Sequence, residues 1–320
     1  MVRKLVLALS FACAAAGALA QDWPAKPIQV IVPFPTGPVD AKARIVAEKV
    51  GKILGQPLVI VNKPGAGMQI GTKQLLDAPN DGYTLGVMVQ ANSWITPTLL
   101  PDASYDANKD LTPISIVLGQ QMVLVASNKL GVHSMAELVK LAQAKPGVLN
   151  YGAPSGPSGF HVWFEVLKGV AKLDIVFVPY RGLALALQDL IGGQVDVGLA
   201  DLGSMQLIQA GRMKALAVTG ERRLSELPDV PTLRELGFPF VAVNWLGFAA
   251  PANLPKPVEQ RLVKAFDEAL RSPDVRKALE GDGTEAIDTA RIGPAEFRAR
   301  ITNEPLQFRQ NVKPGTFKLD

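Results

Sequence analysis

Cysteine is all but missing from this chain. The single one, Cys13, lies among the first twenty residues, so the rest can form no disulfide, no zinc–thiolate site and no cysteine nucleophile. Histidine is nearly as scarce. His133 and His161 stand in no H-E-x-x-H or similar pattern, so a transition-metal site would have to rest on carboxylates. Charge of one sign is lacking as well: the formal +4 falls to +2 once Arg3 and Lys4 leave with a leader, and no basic run carries interleaved aromatics. That removes the electrostatic case for nucleic acid. Beyond the leader no stretch offers the ~20 uninterrupted apolar residues of a membrane span, and no internal repeat or low-complexity tract is visible.

What is present begins with an export signal. Arg3 and Lys4 form a basic start, Leu5 to Ala16 an apolar run and Ala18 to Ala20 a small-residue cleavage site, which predicts a signal peptide over 1–20 and a soluble mature chain from Gln21. The residues before Cys13 lack the leucine of a lipoprotein site. The roughly 300 mature residues suit two lobes better than one core.

Strand and helix signals then alternate, which predicts an α/β fold with mostly parallel sheets. Two strands, Ile28 to Phe34 and Leu58 to Asn62, each run into a Gly/Pro turn ahead of a helical pattern, Pro35 to Asp40 and Lys63 to Gly71. Such a turn leaves several N–H groups without intrahelical partners and facing one crevice, a place to hold an anion. Helices are expected at about 41–54 and from Gly71 to Leu76, and a strand at Tyr83 to Val89. Ile114 to Ser127 is too long for a typical strand and is interrupted at Gly119 to Gln121. We read it as a crossing into a second lobe. That lobe is expected to alternate helix and strand from the capping box at Ser134 through the strand ending at Thr219, with Phe240 to Phe248 crossing back. Helices at Pro257 to Arg271, Pro273 to Leu279 and Pro294 to Glu304 are expected to pack on the first lobe. The result is a type II-like clamshell of the periplasmic-binding-protein kind, with two crossing segments: the first lobe from 21–123 and 241–320, the second from 124–240. Ligands of such sheets gather in the cleft between lobes.

The ordered set Ile31 to Phe34 with Asp40 and Arg44, Asn62 to Gly67 with Ile70 and Gly71, and Asp81 to Leu85 resembles the first lobe of the Bug-type substrate-binding proteins, the extracytoplasmic receptors of tripartite tricarboxylate transporters. The resemblance continues through Tyr151, Gly152, His161, Val178 to Gly182, Asp189 to Asp196, Leu216 to Val218 and Pro228 to Thr232. It implies a periplasmic receptor, monomeric and without enzymatic activity or cofactor, that closes on a small organic carboxylate and docks on the membrane subunits of a transporter. A ligand-sensing subunit that docks on a membrane sensor kinase is the alternative. The resemblance also implies that backbone amides and ordered water hold the carboxylate, with Phe34, Thr36, Gly37 and Asp40 on one side and Gly65, Ala66, Gly67 and Met68 on the other. This chain departs from the pattern twice: its first turn is one residue shorter with a single glycine, and Met68 replaces a common third glycine. Pro38 also lacks an N–H.

The second lobe offers Ser155, Gly156 and Ser158 ahead of a helix beginning near Phe160. Ser158 and His161 are imaginable as nucleophile and base, but no third group orients the histidine and no nucleophile elbow surrounds the serine. A helix-face hydrogen bond within the lobe is the plainer role of His161. Arg181 either contacts the distal part of a ligand or pairs with Asp189 or Asp201. Asp201 accepts a ligand hydrogen bond or caps the helix near Met205, and Asn92 and Ser93 carry the same ambiguity. Asp40 reads better as an N-cap than as a ligand contact, because it would repel a carboxylate. Trp94, Trp163, Phe164 and Trp245 read as core before they read as a stacking surface.

Overall fold

The computed structural model describes residues 23–100, 103, 105–280, 292–313 and 317, so the signal peptide expected over 1–20 lies outside the described residues. The chain builds two five-stranded sheets. In the first, Ile28–Val32 (β1) lies between Leu58–Asn62 (β2) and Thr84–Val89 (β3), parallel to both. Helix Pro38–Leu54 (α1) follows β1. Its leading proline fills a position whose N–H has no helical partner in any case, and Gly55 ends it in the left-handed region, returning its N–H to the Gly51 carbonyl. Helix Gln69–Leu76 (α2) follows β2. A Cβ at Gly71 would stand 2.8 Å from the Lys63 carbonyl oxygen and 3.0 Å from Pro33 Cα. Only glycine lets α2 wedge between the two strand ends.

Leu111–Gln121 (β4) extends this sheet and Val123–Ala126 (β5) already belongs to the second. The break in the long apolar segment therefore falls at Met122 rather than at Gly119 to Gln121, which stay in β4 because the returning strand pairs with them. The second lobe continues through helix Met135–Ala144 (α3), Asn150–Pro154 (β6), helix Gly159–Ala171 (α4), Val176–Tyr180 (β7), helix Leu183–Gly192 (α5), Val197–Ala200 (β8) and Lys214–Val218 (β9). Here β6 is parallel to β7 and β8, whereas β5 is antiparallel to β8 and β9. Each sheet is thus parallel where strand–turn–helix units build it and antiparallel where the crossings join it. Val243–Pro251 (β10) returns antiparallel between β3 and β4, from Val243 opposite Gln121 to Pro251 opposite Leu111.

The two cores follow the apolar periodicity. Val30, Val32, Val46, Val50, Phe248 and Phe266 fill the first lobe, and Leu124, Tyr151, Val162, Phe164 and Val166 the second. Helices Lys256–Arg271 (α6) and Pro273–Glu280 (α7) pack on α1 as expected of the first lobe. Helix Pro294–Asn311 (α8) departs from that expectation, lying against both β4 and α4. It also runs past Glu304, because the carbonyl of Ile301 that Pro305 cannot reach is taken by the side-chain amide of Asn108 at 3.3 Å.

Thr219 fastens the two crossings together. Its N–H donates to the Met122 carbonyl at 2.9 Å and its carbonyl accepts from Ala242 N–H at 2.9 Å. Its hydroxyl oxygen accepts from Met122 N–H at 2.8 Å and donates to the Ala242 carbonyl at 2.6 Å. Replacing Thr219 with Val keeps the shape but orphans a buried donor and a buried acceptor, so we expect a loss of about 1–3 kcal/mol in urea unfolding, with Thr219→Ser retaining most of it. Equal losses in the two variants would show that the hydroxyl is not what matters there.

Candidate functional site

The first-lobe turns are joined by one buried carboxylate. Asp40 is 2% exposed and accepts from Arg44 Nε at 2.8 Å and from Asn62 Nδ2 at 2.8 Å. Asn62 also donates to the Phe34 carbonyl at 3.0 Å and accepts from Arg44 Nη2 at 3.1 Å. Asp40 is therefore not the N-cap of α1: Gly37 occupies that position, and Asp40 stands in the first turn as the bracket between the turns. The Arg44 guanidinium beside it holds its carboxyl below the usual range, outweighing burial, with help from Asn62.

The second turn is left-handed at three consecutive residues, with φ of 45° at Ala66, 60° at Gly67 and 74° at Met68. Successive N–H groups in such a turn converge on one side, a shape that suits an anion. Thr72 donates to the Met68 carbonyl at 2.9 Å, and Asn92 holds Thr72 in turn at 3.1 Å. Asn92 is 1% exposed, and its Oδ1 takes Val89 N–H at 2.8 Å, so its side chain braces the turn from beneath. Ser93 lies beside it in the wide π-type turn 91–95, buried and with no partner for its hydroxyl. Thr36, Gly65, Ala66 and Gly67 are exposed, and Phe34, Gly37 and Met68 are half-buried.

The second lobe brings its own turns to the same mouth. The position of a Cβ on Gly67 lies 3.6 Å from Pro157 Cγ, so the 65–68 turn faces the loop carrying Ser155, Gly156 and Ser158. Ser155 N–H donates to the Tyr180 carbonyl at 2.8 Å, which sets Arg181 next to that loop. Arg181 is exposed and has no hydrogen bond or ion pair among the described residues; Asp189 accepts instead from the Tyr180 hydroxyl, and Asp201 from Ser204 Oγ at 2.6 Å. Asp201 stands at the end of β8 without capping a backbone N–H. The starts of α1, α2, α4 and α5 all follow strand ends at this mouth, and no side chain caps any of them. By contrast Ser134 caps α3 through Glu137 N–H. The mouth is therefore ringed by helix starts that no side chain caps, and Arg181 stands there as a cation without a partner among the described residues.

His161 is not part of this mouth. It is 2% exposed, stacked on Phe177 at 3.8 Å and on Phe317 at 4.3 Å, and its Nδ1 has no partner. The expected helix-face hydrogen bond is not made at Nδ1; aromatic stacking on both faces of the ring holds the side chain instead. Burial, reinforced by the charge of Lys168, pulls the imidazole down to about 4. Trp94, Trp163, Phe164 and Trp245 are likewise core.

Three residues here escaped the sequence reading. Asn62 was visible as a polar end to an apolar strand. Asn244 was visible as a polar residue in the apolar returning strand; its Oδ1 stands 2.4 Å from where a Cβ on Gly159 would lie, at the start of α4. Pro157 carried no chemical signal.

Two facing α/β lobes joined by two crossing strands, with uncapped helix starts in the mouth between them, define a two-lobed solute-binding protein. The profile of the tripartite tricarboxylate transporter family receptor matches residues 42–299, and the chain belongs to that family. It is 34% identical to protein BugT of Bordetella pertussis over 311 residues, covering 95% of this chain and 94% of that one. Among solved structures it is similar to MatC of Rhodopseudomonas palustris with bound malate (TM-score 0.73, 29% identity, 91% of this chain and 100% of that one). It is also similar to the periplasmic binding protein BugD (TM-score 0.70, 30% identity, 90% and 97%) and to a second R. palustris protein with adipate (TM-score 0.73, 28% identity, 90% and 97%).

The neutral, buried His161 makes stability depend on pH with a definite sign. Its folded pKa lies below the unfolded one, so its contribution is complete above about 6.5 and is lost as pH falls towards 4. From pH 7 to pH 5 the wild type is expected to lose about 2 kcal/mol more than His161→Phe in urea unfolding. Parallel profiles would refute the assignment.

Proposed function

We propose that this protein is an extracytoplasmic receptor that captures a small organic carboxylate between its lobes and delivers it, as a monomer, to the membrane subunits of a tripartite tricarboxylate-type transporter. The observation that carries this is the mouth itself: four helix starts that no side chain caps, two from each lobe, follow strand ends where the 65–68 turn comes up against the loop at Pro157. Each such terminus favours an anion by ~0.3–1 kcal/mol at an exposed site, and more when water is excluded. Arg181 adds an exposed charge of matching sign that has no partner among the described residues. The carboxylate then lies against the 34–40 and 65–68 turns, with Ser93, Ser155, Gly156, Ser158 and Arg181 towards its distal part and Asp201 available to a ligand hydroxyl.

Binding without catalysis is supported by His161, whose ring faces Phe177 and Phe317 and makes no hydrogen bond with Ser158. Export through the leader at 1–20 is part of the same reading. The similar proteins that hold malate and adipate make dicarboxylic acids the first ligands to try.

Thermal denaturation of the mature chain against a panel of mono- and dicarboxylic acids tests this. A ligand at a hundredfold excess over Kd should add about 2.7 kcal/mol, a shift of several degrees. Titration calorimetry on Arg181→Gln should then show dicarboxylates weakened by about tenfold, ~1.4 kcal/mol, and monocarboxylates much less. A panel with no stabilising acid would sink the reading, and an unchanged preference in Arg181→Gln would remove that residue from it.

A further inference from the structure

Glu304 is a carboxylate on the buried face of α8, where Phe297, Ile301 and Phe308 make the surroundings apolar. Its Oε2 accepts the indole N–H of Trp94 at 2.6 Å and its Oε1 that of Trp245 at 2.9 Å. Those indoles belong to different parts of the cleft floor. Trp94 follows Ser93 in the 91–95 turn beside the 66–68 turn, and Trp245 follows Asn244 in the returning crossing strand. Trp94 also meets Trp163 of the second lobe edge-on, with ring centroids 5.8 Å apart. One side chain therefore ties the floor of the mouth, a crossing strand and the helix that spans both lobes.

We propose that Glu304 is a positioning residue of the binding cleft: its ionised carboxylate holds Trp94 and Trp245, and with them the 91–95 turn and the returning strand, in the geometry that binds ligand. The charge that matters is local. Arg300, on the same helix, stands 3.6 Å away and is itself held by Glu296 at 2.8 Å. The 91–95 turn, β4 and β10 contribute no charged side chain. On α4, Glu165 and Lys168 pair with each other at 2.7 Å and His161 lies between aromatic rings. In the short helix 107–110, Lys109 pairs with Asp106 and Asp110 accepts from Asp106 N–H.

Burial pushes the Glu304 carboxyl up to about 7, against the pull of Arg300 and the two indoles. It therefore changes charge near neutrality, where an ordinary carboxylate stays ionised. A neutral carboxyl accepts the indole N–H bonds more weakly than a carboxylate does. As pH falls through this range the floor is held less firmly, so ligand affinity falls.

The indole N–H resonances of the full mature chain test the first half without any ligand. Those of Trp94 and Trp245 should titrate together near neutrality and stop doing so in Glu304→Gln, while Trp23, which packs on Tyr83 and whose Nε1 lacks a partner, serves as the reference. Resonances of Trp94 and Trp245 that Glu304→Gln leaves unmoved at about pH 8.5, or that titrate equally in that variant, would overturn the proposal. The second half rests on the carboxylate reading: Kd for a dicarboxylate that stays ionised should weaken from about pH 8 to about pH 6, by at most about tenfold per unit, and be flat in Glu304→Gln. The same slope in both proteins, or affinity that rises on acidification, would overturn it. Should no acid bind at any pH, the carboxylate reading fails on its own, and the indole titration still decides the role of Glu304.

Discussion

Everything at the mouth depends on how two strands cross between two sheets, and Thr219 is where that crossing is held. Its backbone and hydroxyl bond to Met122 on the outgoing strand and to Ala242 on the returning one, so neither can slide without breaking a buried pair. On one side β4 and β10 stay paired into the first sheet, with register shifts at Leu246/Gly247 and Phe248/Ala249, and on the other β5 enters the second. Two strands fastened in this way permit rotation of one lobe against the other far more readily than translation. The same strand ends are therefore held towards one another, with the 65–68 turn opposite the loop at Pro157.

The two jaws offer an anion different things. In the first, Arg44 is committed to Asp40, whose carboxylate is needed to hold Asn62 and thereby both turns. The pair is electrically neutral as a unit, so the Arg44 charge is not left over for a ligand, whereas the uncapped helix starts offer the partial charge of oriented N–H groups. In the second jaw Arg181 carries a full charge with no partner among the described residues, at the rim rather than in the floor. Dipoles fix geometry at short range, whereas an exposed charge acts over roughly the Debye length of ~8–10 Å. A carboxylate drawn in by the second jaw would be oriented by the first.

Much of this was legible from local pattern. The strands β1, β2 and β3, the turns after them and the first crossing follow from apolar runs that end in Gly and Pro. Long-range pairing was not legible. The break at Met122 escaped notice because Gly119 to Gln121 look like an interruption until β10 is known to pair with them. Asp40 reads as a cap from its position before a helical pattern, but Pro38 starts that helix earlier and leaves Asp40 in its first turn. His161 and Glu304 show the same gap from the other side. Both are polar residues on faces whose apolar spacing was visible, and only the fold shows that one is enclosed by Phe177 and Phe317 and the other by two indoles.

The second turn carries a cost that folding alone does not account for. A left-handed backbone disfavours any residue with a Cβ by roughly 1–2 kcal/mol, and here Ala66 and Met68 both adopt it. Glycine at position 68 would relieve that strain without disturbing the bonds from Thr72 and Asn92, which involve only the Met68 carbonyl and the Thr72 hydroxyl. What methionine contributes is its side chain, half-buried beside the 91–95 turn. A flexible thioether brings an apolar group to the turn that glycine would not. Strain with a removable cause, retained at a turn that the proposed reading places against the ligand, would serve selection on what the cleft excludes as well as on what it holds.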